Sequence, residues 1–227
     1  MAIEPRRSEL VKKKPLPDAT PLRKGFYLRR GKRMFDVLFA LAILPLILPI
    51  MAVIYVGMLH QGNVFFVQER VGQNGKSFRC YKFRTMRVGA ETILAELCDT
   101  DYEVAEEWCL NQKLAHDPRV TRLGKTLRKS RLDELPQIIN ILLGQMSFVG
   151  SRPFLPSQRA AYNAAGGEKY YDGKPGVTGS WQVFQGENSV FAERASFDNL
   201  YFRDISFGTD IKIIFITIYV ALKFNGK

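Results

Sequence analysis

Residues 37–59 form an unbroken run of 23 residues without a formal charge, rich in Leu, Ile, Ala and Val. A straight helix of this length would be about 34 Å long, enough to cross the hydrocarbon core of a bilayer. Pro45 and Pro49 lie near the middle of the run. Each removes a backbone N–H and clashes with the preceding turn, so a bend is expected there. The sequence therefore predicts a membrane helix, either a simple spanning anchor or a hairpin bent at these prolines.

The charges on both sides of this run favour the hairpin. Under the positive-inside rule, segments rich in Lys and Arg remain in the cytoplasm. A single span cannot keep both flanks there, whereas a re-entrant helix bent at Pro49 and Pro45 can. We therefore expect residues 31–61 to enter and leave one leaflet from the cytoplasmic face. The basic residues are Arg29, Arg30, Lys32 and Arg33 before the run, and Arg70, Lys76, Arg79, Lys82, Arg84 and Arg87 after it.

The N-terminal tail, residues 1–30, is strongly basic. The first 33 residues contain eleven Lys and Arg against three acidic residues, and the chain carries a formal net charge of +11. Beside an apolar membrane segment, such a tail is typical of attraction to anionic lipid head groups, about 1 kcal/mol per basic residue. Nucleic acid is the rival partner, but no groove-reading motif is present. We expect a membrane partner, no nucleic acid, and a disordered segment over residues 1–25.

The remainder, residues 62–227, is expected to form a mainly helical α/β domain on the cytoplasmic side. Partly alternating apolar residues over 64–71 and 77–84, joined by an Asn-Gly turn, predict a small β-hairpin. Residues 211–224 predict an amphipathic helix in the membrane interface, with Lys212 and Lys223 reaching the head groups. A buried core helix is the alternative for that stretch. Further helices are expected at residues 88–113, 124–130 and 156–165.

Two adjacent carboxylates, Asp133 and Glu134, lie between a basic run and an apolar helical run. Pro136 is suited to the first turn of a helix, and Gly144 is suited to its end. The dyad would then lie at the positive end of a helix dipole, which favours ionised carboxylates. In phosphate chemistry, one such carboxylate can attack phosphorus while the other holds a divalent metal. An acidic first helical turn exposed to solvent is the alternative.

The segment around the dyad resembles the signature of the bacterial sugar transferases, the monotopic phosphoglycosyl transferases that start glycan assembly on a polyprenyl phosphate. The resemblance rests on Leu-Asp-Glu-Leu-Pro-Gln at 132–137, on Asn140, and on Gly144-Gln-Met-Ser-Phe-Val-Gly-Ser-Arg-Pro153. It covers roughly residues 30–224. Further matching motifs are Lys32-Arg-Met-Phe-Asp36, Tyr81-Lys-Phe-Arg-Thr-Met86, Asp117-Pro-Arg-Val-Thr121, Lys174-Pro-Gly-Val-Thr-Gly179 and Asp198-Asn-Leu-Tyr201.

The resemblance implies an enzyme that transfers a sugar 1-phosphate from a UDP-sugar to polyprenyl (undecaprenyl) phosphate and releases UMP. It implies a monotopic protein with a re-entrant helix on the cytoplasmic face of the bacterial inner membrane. Asp133 would be the nucleophile that carries the phosphosugar, and Glu134 would bind the divalent metal. Mg²⁺ is expected, with Mn²⁺ as an alternative, because a carboxylate that attacks a diphosphate needs a cation to offset charge repulsion.

The resemblance also indicates residues that would bind the substrates. Arg128 matches a family arginine that faces the phosphates, and Arg152 matches the arginine of a Pro-Arg-Pro turn, whose first proline is here Ser151. Planar guanidinium groups suit bidentate phosphate binding. Many relatives carry a further arginine at the position of Gly186, and Arg194 is the candidate substitute. Lys82 and Arg84 are candidates for lipid or nucleotide phosphate, or else belong to a basic membrane-facing surface.

Two alternative functions remain at this stage. One is a membrane-tethered basic scaffold or nucleic-acid-binding protein without catalysis, which the intact dyad disfavours. The other is direct transfer in a ternary complex, with Asp133 as a metal ligand only. The motifs do not specify the sugar, the glycan or the oligomeric state.

Overall fold

The structure, a computed structural model, describes residues 26–111, 114–184 and 191–224. Residues 1–25 and Gly186 lie outside this part, as does the side chain of Lys223. The fold is mainly helical, as predicted, with two small sheets, of which the hairpin was predicted and the parallel pair was not. Its elements are α1 (Lys32–Met58), β1 (Phe65–Val71), β2 (Ser77–Phe83), α2 (Ala90–Thr100), α3 (Tyr102–Asn111), α4 (Arg122–Ser130), α5 (Gln137–Leu142), β3 (Ser147–Val149), α6 (Arg159–Ala164), β4 (Gly176–Thr178), α7 (Ser180–Phe184), α8 (Arg194–Arg203) and α9 (Phe207–Phe224).

The predicted membrane segment is one continuous helix, α1, with Pro45 and Pro49 inside it. It is the one helix in the described ranges that is long and apolar enough to cross a membrane. The helix continues across both prolines, and the predicted bend into a re-entrant hairpin stays a prediction. A proline within a helix removes its own N–H and disturbs one turn, and the remaining backbone hydrogen bonds can continue the helix on either side.

Both ends of α1 contact the same domain. Near its start, the Asp36 carboxylate accepts hydrogen bonds from the Ser147 hydroxyl at 2.9 Å and from the Phe148 backbone N–H at 3.1 Å. At its end, Met58 is buried in a cluster with Phe83 and Leu127. A straight helix of 27 residues would separate its ends by about 40 Å. The helix therefore lies against the domain instead of projecting away from it.

The predicted β-hairpin is confirmed. Strands β1 and β2 are antiparallel, with Phe65 opposite Phe83 and Val71 opposite Ser77. Asn74 in the connecting turn adopts a left-handed backbone conformation (φ 56°), which suits the Asn-Gly signal. The hairpin is fastened to α5 by Asn140, which accepts from the Tyr81 N–H at 3.1 Å and donates to the Arg79 carbonyl at 2.6 Å. This fully buried amide therefore sets the position of α5 beside β2.

The other predicted helices are present with different boundaries. The stretch 88–113 contains two helices, α2 and α3. Helix α4 begins two residues earlier than expected, because the Thr121 hydroxyl accepts a hydrogen bond from the Gly124 N–H and caps it. In the stretch 156–165, a short 3₁₀ turn precedes α6.

Helix α9 combines the two alternatives proposed for the C-terminal stretch. On one side, Ile213 and Asp210 are buried against the domain. On the other side, Phe215, Ile218 and Tyr219 are exposed. The helix thus supplies part of the core and also presents an apolar surface.

Candidate active site

The backbone places the acidic dyad in a tight turn between two helices. Helix α4 ends at Ser130, and Arg131 adopts a left-handed conformation (φ 58°, ψ 14°). A 3₁₀ turn, Leu132–Glu134, follows and carries both carboxylates. Helix α5 then begins after Pro136 and ends before Gly144, whose φ is +78°. The predicted helix boundaries at these two residues are confirmed.

Glu134 is buried and surrounded by positive charge. Its Oε1 atom accepts a hydrogen bond from Lys82 Nζ at 2.6 Å and another from Arg152 NH2 at 3.1 Å. Burial by itself raises the pKa of Glu134, but the charges and hydrogen bonds of Arg152 and Lys82 outweigh it and lower the pKa from 4.5 to about 2. Glu134 is therefore ionised across the physiological pH range.

Asp133 lies beside Glu134 in a different electrostatic environment. Burial and the negative charge of Glu134 raise its pKa above the ordinary value of 3.8, against the opposing charges of Lys82, Arg128 and Arg152. The sequence predicts that the helix dipole keeps both carboxylates ionised. Helix α5 has only six residues, and the pKa of Glu134 is lowered by its direct contacts with Arg152 and Lys82.

The structure brings Lys82, Arg152 and Arg128 together near the dyad. Lys82 comes from β2 and Arg152 from the turn after β3, and the two meet at Glu134. Arg128, on the last turn of α4, donates from Nε to the Thr85 hydroxyl at 2.8 Å. Its charge also acts on Asp133. Three of the predicted substrate-binding cations therefore surround the predicted catalytic pair.

Arg84 and Arg194 are placed differently. The Arg84 backbone N–H donates to the Val64 carbonyl at 2.8 Å, beyond the end of the hairpin. Arg194 is buried, its Nε lies 3.5 Å from Asp198, and its guanidinium lies over the rings of Phe154, Tyr162 and Phe191. This environment makes Arg194 a core residue next to the turn that carries Arg152, and not an open phosphate contact.

A cavity of about 210 Å³ adjoins the dyad. Arg131 and Glu134 form part of its wall, and Thr178 and Thr217 lie opposite each other with their hydroxyl oxygens 2.7 Å apart. The rest of the wall is apolar and comes from α1, α5, the two short strands and α9. These apolar residues include Ile47, Ile138, Ile141, Phe148, Val177 and Ile218.

The donor set fits a hard divalent cation. No group of three or more His, Cys, Asp or Glu side chains that could hold a metal occurs in the described residues. The protein thus offers the two carboxylates of the dyad. Mg²⁺ is commonly bound by one or two carboxylates, with substrate phosphates and water completing its coordination. The carboxylates of Asp133 and Glu134 match this mode of coordination.

Three residues near the dyad had been given no role from the sequence: Arg131, Thr85 and Asn140. Thr85 contacts Arg128, and Asn140 fixes α5 against the hairpin. Asn140 could be recognised in the sequence as an amide residue within an apolar helical run. No sequence pattern indicated Arg131, because the left-handed conformation that follows a helix is usually found at Gly or Asn.

Comparison with known proteins identifies the class. The sequence profile of the "Bacterial sugar transferase" family matches residues 27–224. The chain therefore belongs to the bacterial sugar transferase family.

Individual relatives agree with this assignment. The "Exopolysaccharide production protein ExoY" of Rhizobium meliloti (strain 1021) is 43% identical over 202 residues, which are 87% of this chain and 88% of the relative. The "UDP-galactose-lipid carrier transferase" of Erwinia amylovora is 42% identical over 197 residues, 86% of this chain. The "Undecaprenyl-phosphate galactose phosphotransferase" of Salmonella typhimurium is 39% identical over 197 residues. The chain spans 41% of the length of each of these last two relatives.

Proposed function

We propose that this protein transfers a sugar 1-phosphate from a UDP-sugar to undecaprenyl phosphate, giving undecaprenyl-diphosphate-sugar and UMP, and thereby initiates exopolysaccharide assembly. Membership of the sugar transferase family and the names of its relatives support the reaction class. The observation that carries the proposal is the buried, doubly paired Glu134 beside Asp133. An ordinary solvated acidic turn would not be paired with two partly buried cations.

Asp133 is the proposed nucleophile. Its carboxylate oxygen forms a bond to the β-phosphorus of the UDP-sugar while the bond from that phosphorus to the bridging oxygen breaks. UMP leaves with that electron pair. A phosphate oxygen of the lipid acceptor then attacks the same phosphorus and releases the Asp133 carboxylate. Splitting the transfer into two displacements lets one site serve two anionic substrates in turn.

Glu134 is the residue that would hold a divalent cation, Mg²⁺ or Mn²⁺. When bound, the cation neutralises charge on the diphosphate and eases approach of the anionic nucleophile. Lys82 and Arg152 neutralise Glu134 in the structure. We propose that the same two side chains also contact the substrate phosphates.

Arg128 is the proposed contact for the phosphates at the other side of the dyad. The Thr85 hydroxyl already orients its guanidinium through Nε, which leaves the two terminal nitrogens of that guanidinium group available for paired hydrogen bonds. Arg84 remains a candidate for the same anions. The position of Arg194 argues for a supporting role behind Arg152.

We propose that the protein is monotopic and lies on the cytoplasmic face of the bacterial inner membrane, with α1 entering and leaving one leaflet. Supporting this, Asp36 and Met58, near opposite ends of α1, contact one and the same domain. A domain that touches both ends cannot lie on both sides of the bilayer. The exposed Phe215 and Tyr219 of α9 offer a second apolar contact with the membrane.

The reaction is tested with purified full-length protein in detergent, given undecaprenyl phosphate, Mg²⁺ and a panel of UDP-sugars. We expect UMP release with at least one UDP-sugar. A folded protein that releases no UMP with any of them would support the alternative of a catalytically inactive scaffold. A protein that releases UMP only when the lipid is present would support direct transfer in a ternary complex.

A further inference from the structure

Among the cations around the dyad, Arg131 is distinguished because its side chain has no partner in the part of the chain that the structure describes. Lys82 and Arg152 are paired with Glu134, and Arg128 is bound to the Thr85 hydroxyl. The Arg131 side chain makes no hydrogen bond or ion pair within residues 26–111, 114–184 and 191–224. It is half-buried, so its charge is partly removed from water. A half-buried, unpaired guanidinium next to a catalytic dyad is suited to an anionic ligand.

The backbone of Arg131 is also unusual. A left-handed residue at this position after a helix is usually Gly or Asn, because other side chains crowd the backbone. Arg131 and Asn74 are the non-glycine residues with positive φ in the described part of the chain. Asn74 is explained by its turn. Arg131 adopts this unfavourable conformation at a position where it forms part of the cavity wall, next to Glu134.

The composition of that cavity indicates which substrate reaches Arg131. Away from Arg131 and Glu134 its wall is largely apolar, with Ile47 from α1 and Ile218 from α9. Both helices also carry exposed apolar side chains, among them Leu46 of α1 and Phe215 of α9. A cavity of about 150 Å³ can hold benzene, so 210 Å³ has room for a five-carbon isoprene unit. A uridine or a sugar would find few hydrogen-bonding partners on these walls.

We infer that Arg131 binds the phosphate of the lipid acceptor, while the adjoining cavity receives the isoprenoid carbons next to that phosphate. This rests on the proposed function. The acceptor would approach the dyad from the side of α1 and α9, and the UDP-sugar from the side of Lys82 and Arg152. Such a division would keep two anionic substrates apart while both reach Asp133.

The test replaces the guanidinium without disturbing the backbone. Arg131→Asn is suitable because Asn tolerates a left-handed conformation. We expect it to raise the KM for undecaprenyl phosphate about 10- to 100-fold, the loss associated with a charged hydrogen bond. The KM for the accepted UDP-sugar should stay within about twofold of the wild type. Arg131→Lys should recover part of the loss, and Lys125→Gln, which removes an exposed charge from the preceding helix α4, should change neither KM.

A second pair of variants tests the cavity. Ile218→Trp should narrow the cavity and raise the KM for undecaprenyl phosphate, whereas Phe215→Trp, also exposed on α9 but outside the cavity wall, should not. The inference is overturned if Arg131→Asn raises the KM for the UDP-sugar instead, which would assign Arg131 to the donor. It is also overturned if neither KM changes. A wild type that transfers nothing to undecaprenyl phosphate would contradict the proposed function itself, which separates the two failures.

Discussion

Lys32 and Asp210, 178 residues apart in sequence, form a buried ion pair with Nζ and Oδ2 at 2.6 Å. Asp210 also accepts hydrogen bonds from the Tyr27 hydroxyl at 2.6 Å and the Tyr201 hydroxyl at 2.7 Å. The carboxylate is fully buried. It therefore joins the start of the membrane helix α1 to helices α8 and α9 at one point.

We expect Asp210→Asn to destabilise the protein by about 3–5 kcal/mol, because it leaves the Lys32 ammonium buried without a counter-charge. Thermal unfolding in detergent measures the change. Asp204→Asn is the matched control, since Asp204 pairs with Arg203 at 3.1 Å on the surface, where solvent screens the pair and its contribution to stability is small. Equal effects of the two substitutions would contradict a structural role for the buried pair.

Asp133→Asn should abolish the release of UMP both with and without the lipid acceptor, because an amide lacks the anionic oxygen that attacks phosphorus. Incubation of the wild type with its UDP-sugar alone should add the mass of one phosphosugar to a peptide that contains Asp133, as seen by mass spectrometry. Asp172→Asn, at an exposed position, serves as the control and should retain both signals. If the wild type turns over with lipid yet gains no mass without it, Asp133 acts as a metal ligand in a ternary complex.

As the pH is lowered, the rate of UMP release without acceptor should begin to fall at a higher pH than it would for an aspartate with an ordinary pKa. The pKa of Asp133 is raised by burial and by Glu134, so its nucleophilic form is lost as the pH falls through that raised value. Glu134, with a pKa of about 2, stays ionised over the same interval. On its acidic side, the plot of log rate against pH should thus have the slope expected for the binding of one proton. A two-proton slope would show that Glu134 titrates as well.

Glu134→Gln should lower the rate strongly, and a higher Mg²⁺ concentration should recover part of it. The substitution removes a charge from the proposed metal site but leaves an oxygen ligand in place. Titration of the rate against Mg²⁺ at saturating UDP-sugar measures this, with Glu168→Gln as a control outside the site. An unchanged Mg²⁺ dependence in Glu134→Gln would remove Glu134 from the metal site.

Arg30 and Lys76, on opposite sides of α1, should both face the cytoplasm. Each is replaced by Cys in a background with Cys98→Ser and Cys109→Ser, and intact cells are treated with a membrane-impermeant thiol reagent. We expect labelling at neither position until the cells are lysed, which also shows that both thiols are reactive. Labelling of either position from outside would disprove the re-entrant arrangement. Adding Pro49→Ala should favour a straight, spanning helix and expose one of the two sites.

Much of the site followed from local patterns. Pro136 and Gly144 mark the start and end of α5 because their backbone preferences act within one turn. The Asn-Gly turn predicted the hairpin for the same reason. Arg194 shows the limit of such reasoning. Its position in sequence suggested a phosphate contact, whereas its burial against the rings of Phe154 and Tyr162 depends on two segments that are distant in the chain.

The sequence by itself determined the membrane segment, the hairpin, the helix that follows the dyad and the candidate catalytic pair, because each depends on residues close together in the chain. Tertiary structure alone decided how the two carboxylates differ. Glu134 meets Lys82, which is 52 residues away, and Arg152, which is 18 residues away. Charge interactions depend on distance in space and on burial, and neither quantity can be read from separation along the chain. For the same reason, a role for Arg131 could not be read from the sequence. That role depends on a cavity built by four segments that are distant in the chain.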